Sequence, residues 1–147
     1  MHHVRTETRI DRPVELVYDY ATTPGNWPRW HPSSLGVRGA TDHSLEVGEQ
    51  VTEDFEVAGR RGTAVWTVSR REPPNVWAID GQSHDGNRAT ITYTLTPGPD
   101  DGTTFRRDLV FTGLLPQLDW SVIGPVIEGE SAEALRRLKV AIEGSVA

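Results

Sequence analysis

Ile10-Asp11-Arg12-Pro13-Val14-Glu15-Leu16-Val17-Tyr18-Asp19-Tyr20, followed at once by Asn26-Trp27-Pro28-Arg29-Trp30-His31-Pro32, is the part of this chain that constrains its fold most. Val4 to Ile10 alternates polar and apolar residues and reads as a strand. Asp11 is placed to cap a helix that has Pro13 just inside it, with Leu16, Val17 and Tyr20 on one stripe. Pro24-Gly25 stops that helix. A second, short helix then ends at Trp30, before Pro32. Trp27 and Trp30, three residues apart, share one side of this turn and put rigid aromatic surface at a corner of the fold.

Working outward from this corner, the sequence turns to strands. Leu35–Ala40 and Glu49–Ala58 come first, the second carrying Val51, Glu53, Phe55 and Val57 on one face. A hairpin turn over Gly59 to Gly62 leads into Thr63–Arg71, with Ala64, Trp66 and Val68 on one face. Val76–Gln82 follows, then a turn at Asp85-Gly86-Asn87. Ala89–Thr96 sets Ala89, Ile91, Tyr93 and Leu95 against a row of threonines read as an exposed face. Thr103–Thr112 places Phe105, Arg107, Leu109 and Phe111 together. The last segment, about Leu118 to Ile142, is helical, with a stripe of Ile127, Ser131, Ala134, Leu138 and Ala141 widened by Leu135 and Ile142. Gly124-Pro125 predicts a kink or break near its start. The economical architecture is α+β: a curved antiparallel sheet of six to seven strands around a long C-terminal helix, residues 1–147 forming one domain.

The order of elements, the Pro13-to-Asp19 opening and the Trp27-Pro28-Arg29-Trp30-His31-Pro32 segment resemble the START/Bet v 1-like (SRPBCC) helix-grip superfamily, especially its bacterial polyketide cyclase/dehydratase-like branch. The resemblance covers nearly the whole chain and implies a cavity between the sheet and the last helix. It implies an apolar or aromatic small molecule as guest, either transformed as in polyketide cyclisation or dehydration, or simply bound and carried. It supplies no catalytic motif to transfer.

Composition narrows the classes further. The net charge of −6 argues against a nucleic-acid surface. There is no cysteine, which excludes thiolate and disulfide chemistry and suits the cytoplasm. No apolar run approaches the roughly 20 residues a membrane span needs, and no secretory signal is visible. The histidines lack metal-site spacing, so neither a metal nor a cofactor is expected. A homodimer through sheet contacts is left open, and so is the origin of His2 and His3, natural or appended.

His31, Glu53 and Arg107 are the candidate catalytic residues. His31 offers an imidazole as base or donor, or simply satisfies backbone groups at a helix end. Glu53 and Arg107 interrupt apolar strand faces. They pair with each other, meet a ligand, or lie outward if the face assignment slips by one residue. Trp27, Trp30, Trp66, Trp77, Tyr93, Phe111 and Trp120 are candidate ligand-binding residues, and each also fits ordinary core packing. Glu130 stands beside the buried stripe of the last helix, and Asp119 suits that helix's N-terminal dipole.

Overall fold

The computed structural model describes residues 1–144. Strand β1 (His2–Ile10) is followed by helix α1 (Val14–Ala21), a 3₁₀ turn (Pro24–Asn26) and helix α2 (Trp27–Trp30). Six strands follow: β2 (Ser34–Gly39), β3 (Gln50–Val57), β4 (Arg60–Glu72), β5 (Val76–Ser83), β6 (Arg88–Pro97) and β7 (Thr103–Gly113). Helix α3 (Trp120–Gly144) closes the described chain. The strands form one seven-stranded antiparallel sheet in the order β1-β7-β6-β5-β4-β3-β2, open between its edges β1 and β2. The sheet curves around α3, giving the helix-grip arrangement expected from the sequence.

The inward parity of the strands agrees with the alternation in the sequence. Val51, Ala64, Val68, Ile91, Tyr93, Leu95, Phe105 and Leu109 are buried, and Val65 on the other face is exposed. Thr90, Thr92 and Thr94 point away from the core but are half-covered by their neighbours; Thr96 alone of the row is exposed. The core continues under α1 and α2 through Val17, Trp27, Trp30 and Trp77, and under α3 through Ala134, Leu135, Leu138 and Ile142.

Three local expectations are corrected. Asp11 does not cap α1. The Pro13 carbonyl accepts from the N–H groups of Leu16 and Val17, while the Asp11 N–H donates to the Glu143 carboxylate at 2.8 Å and ties the strand end to α3. The buried stripe of α1 is Val14, Val17, Tyr18 and Ala21, with Leu16 turned to solvent, because the Tyr18 hydroxyl donates to the Val76 carbonyl at 2.9 Å. The β3–β4 turn is Ala58-Gly59, both at positive φ, and not Gly59 to Gly62. A two-residue turn of this hand matches the strand twist, so β4 starts at Arg60 and Gly62 is a strand residue. Helix α3 begins at Trp120 and is continuous through Pro125, so of the kink or break expected there the break does not occur. Proline there costs one intrahelical hydrogen bond, to the Ser121 carbonyl, and the rest of the long helix holds it in place. Asp119 accepts from the Ser121 N–H at 3.0 Å at this start, as its predicted N-terminal position suits.

Candidate functional site

Between the concave face of the sheet and α3 lies a cavity of ≈ 180 Å³. Its inner end is built by α2 and the residues after it, with Trp27, Trp30, His31 and Ser33. Its flanks are Trp66, Ile79, Ile91 and Leu109 from the sheet and Ile123 and Ile127 from α3. The mouth is framed by the β3–β4 turn, the β5–β6 turn and Leu114 and Leu118 of the segment before α3. That segment is tied down where the Leu115 N–H donates to Asn87 Oδ1 at 2.7 Å.

Two glycines shape the flank. Trp66 pairs with Gly81 across β4–β5, and Phe55 pairs with Gly62 across β3–β4. A Cβ on Gly81 would lie 2.4 Å from the Trp66 ring, and one on Gly62 would lie 2.6 Å from Phe55. Each ring therefore covers the bare backbone of the next strand. These glycines read in the sequence as turn or strand punctuation; an aromatic residue opposite each is the cross-strand pattern that announces them.

The polar groups gather at the inner end. Arg107 is buried, 4 % exposed, and its Nη1 donates to Ser131 Oγ of α3 at 3.2 Å. Among the described residues it makes no ion pair, and its Nε has no partner. Tyr93 is its register partner on β6. Burial pushes the Tyr93 hydroxyl up to about 12, against the opposing pull of Arg107, and burial also lowers the Arg107 guanidinium from its usual range. Glu53 accepts from Trp66 Nε1 at 3.1 Å. Burial raises its carboxyl; the neighbouring Ser34 hydroxyl, Trp66 and Arg107 offset this in part. The Ser34 hydroxyl lies near enough to act on Glu53 electrostatically, yet outside hydrogen-bonding geometry.

His31 Nδ1 receives the Ser33 backbone N–H at 3.3 Å and adjoins the Ser33 hydroxyl at 2.7 Å. A backbone N–H can only donate, so Nδ1 is an acceptor and the neutral ring carries its proton on Nε2. Burial first, then Arg107 and Arg137, hold the imidazole well below its usual pKa. His31 and Glu53 each keep some accessible surface, but that surface belongs to the cavity wall, and burial remains the largest influence on both.

The sequence candidates thus divide. Trp27, Trp30, His31, Glu53, Trp66, Tyr93, Arg107 and Phe111 line the cavity. Trp77 is not among its lining: it is fully buried behind Tyr93, ring centroids 5.2 Å apart, with Nε1 donating to the Leu45 carbonyl. Trp120 also stands outside, between His2, stacked at 4.3 Å, and Phe111, met edge-on at 5.6 Å. Glu130 lines the mouth, its carboxyl raised chiefly by burial. Asn87, Ser131 and Phe55 were not singled out by sequence reasoning; Ser131 was visible as a polar residue within the α3 stripe. Among the described residues there is no group of three or more His, Cys, Asp or Glu side chains able to hold a metal.

Residues 1–143 match the family model described as polyketide cyclase / dehydrase and lipid transport. The chain belongs to this family. Among known relatives, penitrem biosynthesis cluster 1 protein I of Penicillium ochrochloron is 30 % identical over 110 residues, covering 71 % of this chain and 72 % of that protein. A START superfamily protein of Mycobacterium smegmatis superposes with a TM-score of 0.66 at 20 % identity, covering 99 % of this chain and 97 % of the other. A putative protein of the dynemicin biosynthetic locus does so with a TM-score of 0.72 at 19 % identity, covering 97 % of this chain but 48 % of that one. At such identities the two structures share the helix-grip fold with this family member. No helix of the described residues is long and apolar enough to cross a membrane.

Proposed function

We propose that this family member binds and carries an apolar or aromatic small molecule in the cavity between its sheet and α3, without transforming it. The observation that carries this reading is the state of the polar groups. His31 has its one basic nitrogen occupied by the Ser33 N–H, so in its neutral form it is a donor and not the base considered from sequence. Arg107 and Tyr93 hold their protons, and Glu53 is engaged by Trp66. Cyclisation or dehydration needs a group that takes a proton and another that returns it. At the inner end donors surround a single carboxyl, Glu53, which suits recognition of ligand oxygen better than proton shuttling. The polyketide cyclase reading draws support from the family description and from the biosynthetic settings named for its relatives, and Glu53 would be its base.

Titration of the purified protein with a panel of apolar aromatic compounds tests the reading. Saturable one-site binding that quenches tryptophan emission is expected, with ligand recovered unchanged. Turnover of a bound polyketide-like carbonyl compound, abolished in Glu53→Gln, would favour the cyclase reading instead.

A further inference from the structure

We infer that the inner end of the cavity is a subsite for a single negative charge, and that the guest is an apolar or aromatic monoacid bound head-first, with its ionised oxygen on Arg107 and its hydrocarbon body toward the mouth. The inference rests on the cavity-binding reading above and names the class of ligand.

A buried guanidinium is costly unless a counter-charge meets it. Arg107 is 4 % exposed, and the groups that meet it, the Ser131 hydroxyl and the Tyr93 phenol, are both neutral. The carboxyl that acts on it from across the sheet is Glu53 on β3, but the two are not within ion-pair distance and Glu53 is held by Trp66 Nε1. The other groups at this end are Tyr93 on β6, His31 after α2, and Arg137 on α3, whose field reaches His31. None of these three supplies a negative charge while Tyr93 keeps its proton.

The uncharged members are donors: the Nε2–H of His31, the Tyr93 hydroxyl, and the indole N–H of Trp30, which is buried without a partner. The other carboxyls on the wall lie away from this end: Glu130 is in the part lined by Ala58 and Ile127, and Asp85 is in the β5–β6 turn, where Ser83 and Arg60 engage it. One uncompensated positive charge among donors fits one anionic oxygen group. A neutral carbonyl would leave the charge unmet, and a phosphate dianion would exceed it.

Calorimetric titration with three probes of one shape tests this: 2-naphthoate, the neutral 2-naphthamide and 2-naphthol. Wild-type protein is expected to bind the carboxylate at least about 10-fold more tightly than the amide. Arg107→Met, checked for folding by circular dichroism, is expected to erase that preference while still binding the amide. If 2-naphthol tightens as pH rises through its own pKa and matches the naphthoate, the guest class is an acidic phenol; a weak, pH-independent naphthol makes it a carboxylate. Equal affinity for acid and amide in the wild-type protein overturns the subsite and leaves the carrier reading standing. Retention of the preference in a folded Arg107→Met overturns it as well. Failure of all three probes to bind overturns both readings. Should Arg107→Met not fold, the wild-type comparison decides alone.

Discussion

Tyr93 and Arg107 face each other as partners across β6 and β7, so a phenol and a guanidinium stand side by side on the concave face. Both are buried, and Arg107 reaches past Tyr93 to the Ser131 hydroxyl of α3. The sheet thus delivers one charge to the place where the helix crosses it. The walls next to it are mainly aromatic and aliphatic, so that charge selects what can be held at the inner end.

The first prediction concerns stability in the absence of ligand. A buried cation without a counter-ion is a net cost, and a methionine fills similar volume with no charge to desolvate. Removing Arg107 alone would leave the Ser131 hydroxyl buried without its partner, so the double variant Arg107→Met/Ser131→Ala is the informative one. It is expected to be at least as stable as wild type, and by about 1 kcal/mol or more if the charge is as poorly compensated as its contacts indicate. Denaturant melts of the ligand-free proteins measure this; a large loss would mean that the charge is satisfied in a way the contacts do not reveal.

The second prediction is a pH dependence with a definite sign. His31 is held well below the ordinary histidine value of 6.5 in the folded protein. The unfolded chain therefore binds this proton first as pH falls below 6.5. Its contribution to stability is complete above that value and is lost as pH drops toward the folded pKa. His43, exposed and clasped by Asp42 and Glu49, has a raised pKa and the opposite sign: its contribution is present below 6.5 and lost as pH rises through its folded value. Nitrogen-detected NMR should show His31 protonated on Nε2 and not titrating near neutrality. His31→Asn should flatten the acid limb of the stability profile, and His43→Asn should not. A His31 ring that titrates with an ordinary pKa would remove the basis for its role as donor.

A third prediction tests the glycine platform. Gly81→Ala puts a methyl group 2.4 Å from the Trp66 ring, which must swing away and release Glu53. Overpacking of this kind costs about 1–3 kcal/mol. In a Trp66→Leu background the clash is gone, so adding Gly81→Ala should cost little beyond Trp66→Leu alone, while ligand affinity stays low because the flat ring that faces the guest is missing. Thermal melts and ligand titration of Gly81→Ala, Trp66→Leu and the double variant separate the packing effect from the binding effect.

The sequence made most of the fold legible because its signals are local and repeated. The alternation of Ala89 to Thr96, the stripe from Ile127 to Ile142 and the Trp27-to-Pro32 corner each carry their own periodicity or punctuation. The inward placement of Glu53 and Arg107 followed from the same alternation. What strand periodicity could not show is which inward residues meet open space and which are sealed. Trp77 and Tyr93 are register partners with the same parity, yet the Leu45 loop closes over Trp77 and leaves Tyr93 on the cavity wall. Parity likewise says nothing of a side chain's proton: the role of His31 turns on one backbone N–H two residues away. The Ala58-Gly59 turn was missed by reading glycine as the turn signal at both Gly59 and Gly62, when the second serves the Phe55 ring.

Whether the cavity receives an apolar aromatic guest is decided by a crystal structure of the protein grown with 2-naphthoate. The naphthalene ring is expected between Trp66 and the Ile127 side of α3, with the carboxylate within hydrogen-bonding distance of Arg107. Naphthoate bound at saturation on the outer surface, with the space between Trp66 and Ile127 unoccupied, would contradict this expectation.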